Sequence, residues 1–356
     1  MRDFRVMSSR PYIRVAAVHG ETVRQSLLQM GLLDVRHRII SENGMLFLPL
    51  SGEVDPAIIS KELQTVFSTG ERLFEAASDG PRTLTDTLQD KIPPAMLELV
   101  PRAYDLIGDI AVLELPEELH DYSKTIGSAF HDIHSHFKTV LAKKGAVFGT
   151  TRVRQYELLW GEDTTRTIHT EYGCRLAVDL EKAYFSPRLL EEHNRIANLV
   201  QSGELVVDMF CGVGPFAIHI CRRTDAHVIA VDINPDAISL LRESLTMNRL
   251  VGQVIPVVAD VSEYLSTFED SVDRVIMNHP SGAQAFVGDA CQVLRAGGVA
   301  HYYDFIGGDH PESDLTRTVT ELVERANRQV REISLLRRVR DSAPYEYQMV
   351  ADLVID

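Results

Sequence analysis

Asp208-Met-Phe-Cys-Gly-Val-Gly-Pro-Phe216 is the stretch that decides the fold of this chain. An apolar run, Leu205 to Val207, leads into it, and an apolar helical pattern (Phe216, Ile218, Ile220) follows, so it reads as strand, tight turn and helix. Gly212 and Gly214 let the backbone approach a ligand closely, and the helix that follows offers unpaired N–H groups at its start. A second apolar run, Val228 to Val231, ends in Asp232, twenty residues after Gly212, where a carboxylate can hold a ribose diol.

Two further strands extend the pattern. Val254 to Ala259 ends in Asp260, and Arg274 to Met277 ends in Asn278-His279-Pro280. In an open parallel sheet the carboxyl ends of the strands line the binding crevice. That edge would carry Asp208, Asp232, Asp260 and Asn278, with no basic residue among them. A dinucleotide pyrophosphate would find little countercharge there, although Gly212-x-Gly214-x-x-Ala217 also fits the loose dehydrogenase fingerprint. A cationic sulfonium with a ribose and an adenine suits the edge better, so the expected cofactor is S-adenosylmethionine. Its expected contacts are Asp208, Phe210, Gly212, Gly214, Asp232, Ile233, Asp260 and Asn278.

The rest of the chain bounds the setting. With 356 residues, 45% of them apolar and 24% charged, it is an ordinary globular sequence with room for two or three domains. No apolar run has the length of a membrane span, and Met1-Arg-Asp-Phe lacks a signal-peptide core, so a cytoplasmic protein without membrane association is expected. The four cysteines (Cys174, Cys211, Cys221, Cys291) form no CxxC pair and read as reduced thiols. No metal-ligand cluster is visible in the spacing, and none is expected. The net charge of −15 argues against indiscriminate nucleic-acid binding. Two zones run the other way. Lys138, Lys143, Lys144, Arg152 and Arg154 lie in an acid-free stretch, and Arg328, Arg331, Arg337, Arg338 and Arg340 face Glu332 alone. Such zones suit a limited contact with a polyanion, although a solvated helix or strand face would read the same way.

A small α/β unit fills residues 1–52, with strands at Tyr12-Ile-Arg-Val-Ala and Met45-Leu-Phe-Leu-Pro and a helix from Gly20 to Met30. Residues 53–94, richer in Gly, Pro, Asp and Thr, read as a linker with some helix. A middle domain is expected over 95–166, with a strand pair turning at Gly108-Asp109 and helical periodicity from Pro116 to about Ala142. From 167 to 356 strand and helix alternate as in a doubly wound α/β sheet. At the entrance to this last domain Ser186 can cap a helix with Pro187 in its first turn, placing Glu191 and Glu192 near its start. Glu191 reads as a complement to the helix dipole. A carboxylate over the crevice can also take a proton from a substrate.

These residues match a known family. The chain resembles the archaeal and eukaryotic tRNA (guanine-N1)-methyltransferases that modify guanosine 37, over nearly its whole length. The likeness is carried by His19-Gly-Glu-Thr-Val-Arg, Leu46-Phe-Leu-Pro, Arg152-Val-Arg154, Glu171-Tyr-Gly-Cys-Arg-Leu and Tyr184-Phe-Ser-Pro-Arg188. It continues through the Asp208–Phe216 turn, Asp232-Ile-Asn-Pro235, Arg274-Val-Ile-Met-Asn278, His301-Tyr-Tyr and Ala343-Pro-Tyr-Glu-Tyr. The Tyr-Phe-Ser-Pro-Arg and Asn-x-Pro blocks discriminate, since the glycine turn is shared with most cofactor relatives. The resemblance implies a class I methyltransferase domain preceded by two smaller α/β (α+β) domains. One would grip the outer corner of tRNA; the other would present the anticodon stem-loop. A monomer is implied.

The resemblance also implies roles. Glu192 corresponds to the family's general base and Arg152 to an arginine that steadies the target base, while Asn278, Pro280 and Tyr184 belong to the active-site pocket. Lys138, Lys143, Lys144, Arg154 and Arg188 are the expected RNA contacts. Two positions depart from the pattern: His279 stands where an apolar residue is usual, and His193 where arginine is common. The chemistry is coherent. Guanine N1 carries a proton at neutral pH, so Glu192 removes it, Arg152 donates to O6, and Asn278 orients the base edge. Burial that raised the Glu192 pKa towards neutrality would help. No redox metal and no covalent intermediate is required, although a divalent ion could assist the RNA or the carboxylate. Rival readings are an aminocarboxypropyl transferase of wybutosine-type tRNA modification and a non-catalytic RNA-binding protein. An exocyclic-amine methyltransferase fits less well, because Asn278-His279-Pro280-Ser281 lacks the aromatic residue of that motif.

Overall fold

The computed structural model describes residues 7–54, 59, 63, 65–76, 83–148, 153–268, 271–343 and 345–356. It divides into two compact units, Met1–Pro81 and Arg82–Asp356.

In the first unit, strands β1 (Met7–Ala16), β2 (Ile40–Glu42), β3 (Met45–Pro49) and β4 (Ser68–Glu75) form one sheet in the order β2-β3-β1-β4. The helix Gly20–Gln29 and the sheet share a core of Ile13, Val15, Val23, Leu27 and Leu48. β4 falls where the sequence reads as a linker. Its Leu73 and Phe74 carry little strand signal alone, but β4 pairs along its whole length with β1, from Met7 opposite Glu75 to Arg14 opposite Ser68. The unit therefore extends past residue 52.

The second unit contains three sheets among the described residues. Strands β5 (Asp105–Ile107), β6 (Ile110–Leu113), β7 (Thr139–Phe148) and β8 (Val153–Gly161) form a sheet in chain order. β5 and β6 turn at Gly108-Asp109, as the sequence predicts. The expected helix over 116–142 is shorter: it runs Ser123–Ile133, and β7 begins at Thr139. The run Val140-Leu-Ala142 is buried without alternation and pairs parallel to β6, a pattern that periodicity alone cannot tell from a buried helix. Ile126 and Phe130 of the helix pack against Leu113 and Leu159. At Gly127 a Cβ would stand 2.8 Å from the Leu159 backbone carbon, so helix and β8 meet at a distance only glycine allows.

A hairpin of β9 (Arg166–Glu171) and β10 (Cys174–Asp179) follows, turning through Tyr172 and Gly173, both at positive φ. The main sheet comprises β11 (Leu205–Asp208), β12 (His227–Asp232), β13 (Gln253–Val258), β14 (Val272–Met277), β15 (Leu294–Gly307), β16 (Val330–Ala343) and β17 (Glu346–Ile355). Its order is β13-β12-β11-β14-β15-β17-β16, parallel from β13 to β15, with β17 and β16 antiparallel at the edge. Val206 and Val207 of β11 pack into different core clusters, one on each face of the sheet. That is why these strands read as continuous apolar runs. The order reverses between β11 and β14, so the switch-point crevice opens beside Asp208 and Asn278.

Candidate active site

Gly214 has φ +78° and ψ +34°, and Pro215 opens the helix Pro215–Arg223 behind it. A Cβ at Gly214 would meet a methyl of Leu241, and the left-handed backbone disfavours any side chain. Gly214→Ala is expected to destabilise the protein by about 1–3 kcal/mol, a Tm loss of several degrees. An unchanged melting curve would show that the turn has slack.

In front of the turn lies a cavity of about 560 Å³. Of the expected cofactor residues, Phe210, Gly212, Asp232, Ile233, Asp260 and Asn278 line it. Tyr184 and Pro280 line it too. Asp232 accepts the Gly212 N–H at 2.7 Å and the Asn234 N–H at 2.9 Å, so the second strand end holds the glycine turn in place. Asp260 uses one oxygen to cap the helix Val261–Ser266 through the N–H groups of Ser262 and Glu263. Phe210, His279 and Phe286 form an aromatic wall, with ring centroids 4.9 Å and 5.0 Å from Phe210. His279 thus fills the place of the expected apolar residue by ring packing. The sequence reading missed Phe286, Phe305, Arg340 and Gln348 in the lining. Arg340 carried a signal only as part of a basic zone; it donates to Gln348 Oε1 at 2.7 Å.

Asp208 and Gly214 stand behind the cavity, not in its lining. Asp208 is fully buried, and neither of its carboxylate oxygens has a hydrogen-bond partner. Burial, reinforced by the Asp232 carboxylate, pushes its pKa up to about 8. Burial also pushes the Cys211 thiol well above its ordinary value, so it is a packing residue in the turn. Asn278 Oδ1 is likewise buried and unpartnered. Orphaned acceptors beside an acidic strand edge fit a cationic ligand rich in donors, as S-adenosylmethionine is.

The Asp208 shift has a sign. The folded chain holds this proton up to about pH 8, whereas an unfolded aspartate releases it near 3.8. Its contribution to stability is full below pH 3.8 and is lost as pH rises towards about 8. Asp208→Asn is therefore expected to remove a decline on the order of 1.4 kcal/mol per pH unit from the wild-type profile between pH 5 and 8. Parallel Tm–pH curves for the two proteins would contradict it.

Glu192 sits apart from the cofactor cavity. Ser186 makes no capping bond; a short turn, Pro187–Leu189, precedes the helix Leu190–Leu199. Glu191 is exposed and accepts from the Tyr172 hydroxyl at 2.6 Å. Glu192 points inward and is outside the cavity lining. Its Oε2 accepts from Arg195 Nε at 3.0 Å, Arg195 Nη2 at 2.9 Å and the Tyr303 hydroxyl at 2.6 Å. Its Oε1 accepts from Arg337. Arg195 continues to Asp352, which also accepts from His301 Nδ1 at 2.6 Å. Arg274 donates to His301 Nε2 at 2.8 Å, so His301 is a fully bonded structural histidine. Arg152 lies outside the described residues.

A second cavity, of about 230 Å³, shares Tyr184 and Arg340 with the first. Lys143, Arg154 and Arg188 line it, three of the expected RNA contacts. Asp105 offsets part of this charge, 2.7 Å from Arg188 and 3.3 Å from Lys143. Lys138 is elsewhere, paired with Asp109 at 2.8 Å, and Lys144 is exposed and lines neither cavity.

Known proteins agree with this architecture. Three family descriptions match in sequence: the tRNA methyltransferase 5 N-terminal domain over residues 13–58, the TYW2 N-terminal domain over 84–164, and the TRM5/TYW2 methyltransferase domain over 167–336. The tRNA (guanine(37)-N(1))-methyltransferase Trm5b of Pyrococcus abyssi is 35% identical over 340 residues, covering 96% of this chain and 97% of its own. The chain belongs to the TRM5/TYW2 methyltransferase family. It is a methyltransferase, and its cofactor is S-adenosylmethionine. Within the family, a solved complex of aTrm5 with tRNALeu superposes with a TM-score of 0.68 at 33% identity, covering 97% of this chain and 99% of the other. The tRNA(Phe) (4-demethylwyosine(37)-C(7)) aminocarboxypropyltransferase of Pyrococcus horikoshii is 30% identical over 274 residues, 76% of this chain and 95% of its own. No helix among the described residues is long and apolar enough to cross a membrane.

Proposed function

We propose that this enzyme transfers the methyl group of S-adenosylmethionine to N1 of guanosine 37 in tRNA, acting as a cytoplasmic monomer. The observation that carries the reading is the junction of the two cavities at Tyr184 and Arg340. One is acidic and aromatic and fits the cofactor; the other gathers Lys143, Arg154 and Arg188 where a nucleotide phosphate would lie. The match of residues 13–58 to the tRNA methyltransferase 5 N-terminal domain supports the same substrate. In this reading the N-terminal unit grips the tRNA outer corner, and residues 95–166 present the anticodon stem-loop. Lys138 and Lys144 meet phosphates away from the catalytic cavity.

The bound cofactor supplies an already electrophilic methyl group on a sulfonium. The chain's residues position and deprotonate the acceptor. Guanosine 37 leaves its stack to reach the cavity, where Tyr184 and Pro280 bound the base. Asn278 Oδ1, buried without a partner, accepts an N–H of the base edge. Arg152 donates to O6 as charge develops there. Glu192 Oε1 takes the N1 proton. In the described structure that oxygen is held by Arg337, whose side chain is 40% exposed, so the entering base exchanges places with Arg337.

Parallel incubations of a guanosine-37 tRNA transcript with cofactor labelled in the methyl group or in the aminocarboxypropyl group test the chemistry. Label is expected in tRNA from the first only. Label from the second alone would overturn the reading.

A further inference from the structure

Away from both cavities, three side chains from three elements converge. Glu171 ends β9, His193 lies on the helix Leu190–Leu199, and His219 on the helix Pro215–Arg223. They are far apart in sequence, so no ligand spacing announces them. Each offers one donor atom, and the three atoms lie within 4.8 Å of one another. Glu171 and His193 are 1% exposed and His219 is 4% exposed.

Hydrogen bonding leaves this cluster incomplete. His193 Nδ1 lies 2.7 Å from Glu171 Oε2, a good bond. His219 Nε2 stands 3.3 Å from the same oxygen but makes no hydrogen bond, and Glu171 Oε1 has no hydrogen-bond partner either. His219 Nε2 is a buried polar atom without a hydrogen-bond partner, facing an oxygen that His193 already bonds, and an ion shared by the three is one of the few groups that serves it. The spacing suits it. Ligand atoms about 2.0–2.1 Å from a tetrahedral zinc ion are about 3.3–3.4 Å apart, the separation His219 already has from Glu171. His193 needs to move out by about half an ångström to reach the same separation from Glu171.

The surroundings supply an orienting partner. His169 Nδ1 accepts the Gly108 N–H at 3.0 Å, which leaves the imidazole proton on Nε2. That nitrogen faces Glu171 Oε1 at 3.5 Å and steadies the carboxylate, as outer partners of metal ligands do.

We propose that Glu171, His193 and His219 bind one divalent transition-metal ion of the zinc class. Two imidazoles and a carboxylate leave a fourth position for water. The ion ties the β9–β10 hairpin to the helix carrying Glu192, the residue before His193, and to the helix that opens at the glycine turn. Its role is to fix the frame of the active site, without touching substrate.

The test uses the full-length protein, loaded with zinc and then dialysed into metal-free buffer. Elemental analysis is expected to find one zinc per chain. His219→Asn and His193→Asn are each expected to retain below about a fifth of an equivalent, while Cys174→Ser retains it all. Zinc in excess is expected to raise the wild-type Tm on the order of 5 °C. Equal retention in wild type and the histidine variants would overturn the site, as would an unmoved Tm. Should a variant fail to fold, cobalt(II) loaded into the wild type decides. Visible bands of a four- or five-coordinate nitrogen and oxygen site support the proposal; no bands, or thiolate charge-transfer bands, refute it.

Discussion

Asp232→Ala is expected to weaken S-adenosylmethionine binding by about 100-fold or more, with the fold retained. Asp232 does two things that no neighbour can replace. Its carboxylate holds the Gly212 and Asn234 N–H groups at 2.7 and 2.9 Å, and it lines the cavity where a ribose diol is expected. Charge-assisted bonds of this kind contribute about 1.5–3 kcal/mol each, so losing the turn's anchor and the ligand contact exceeds the roughly 3 kcal/mol that 100-fold represents. Burial already raises the Asp232 pKa, with the two backbone N–H groups opposing it. Calorimetric titration with the cofactor checks this: an affinity within threefold of wild type would place the ribose elsewhere.

Glu192→Gln is expected to lower kcat by about 10²–10⁴, the range of a lost general base, with cofactor affinity unchanged because Glu192 is outside the cavity lining. A structural role makes a different forecast. Arg195, Arg337 and Tyr303 all donate to this carboxylate, so an amide leaves donors facing one another and lowers Tm. The two effects separate in a single-turnover assay at saturating cofactor and tRNA, well below the Tm of the variant. A rate near wild type there, with a depressed Tm, would make Glu192 a structural residue only.

The legible part of the sequence was the part in which local pattern and tertiary role coincide. The strands ending at Asp208, Asp232 and Asn278 are buried on both faces, so they read as apolar runs, and their last residues must fall on one edge of the sheet. Six of the eight expected cofactor residues line the cavity for that reason. What failed depended on distant pairing. β4 exists because β1 offers it an edge, and β7 is a strand because β6 and β8 flank it. Neither is written in the local composition. The surroundings of Glu192 were also hidden, since Tyr303, Arg337 and Asp352 come from strands more than one hundred residues away. The same reason conceals the Glu171, His193 and His219 cluster, which the spacing gave no cause to expect. Gln348 and Phe305 enter the cavity from the antiparallel edge of the sheet, beyond the strands whose ends the motif logic follows.

Methyl transfer to N1 of guanosine 37 is read from the product nucleoside. Two unmodified tRNA transcripts, one with guanosine and one with adenosine at position 37, are incubated with the enzyme and S-adenosylmethionine, digested to nucleosides and resolved by mass spectrometry against standards. N1-methylguanosine from the guanosine-37 transcript alone is the predicted result. A different methylated nucleoside, equal N1-methylguanosine from both transcripts, or no product despite tight cofactor binding would overturn the assignment of N1 of guanosine 37 as the methyl acceptor.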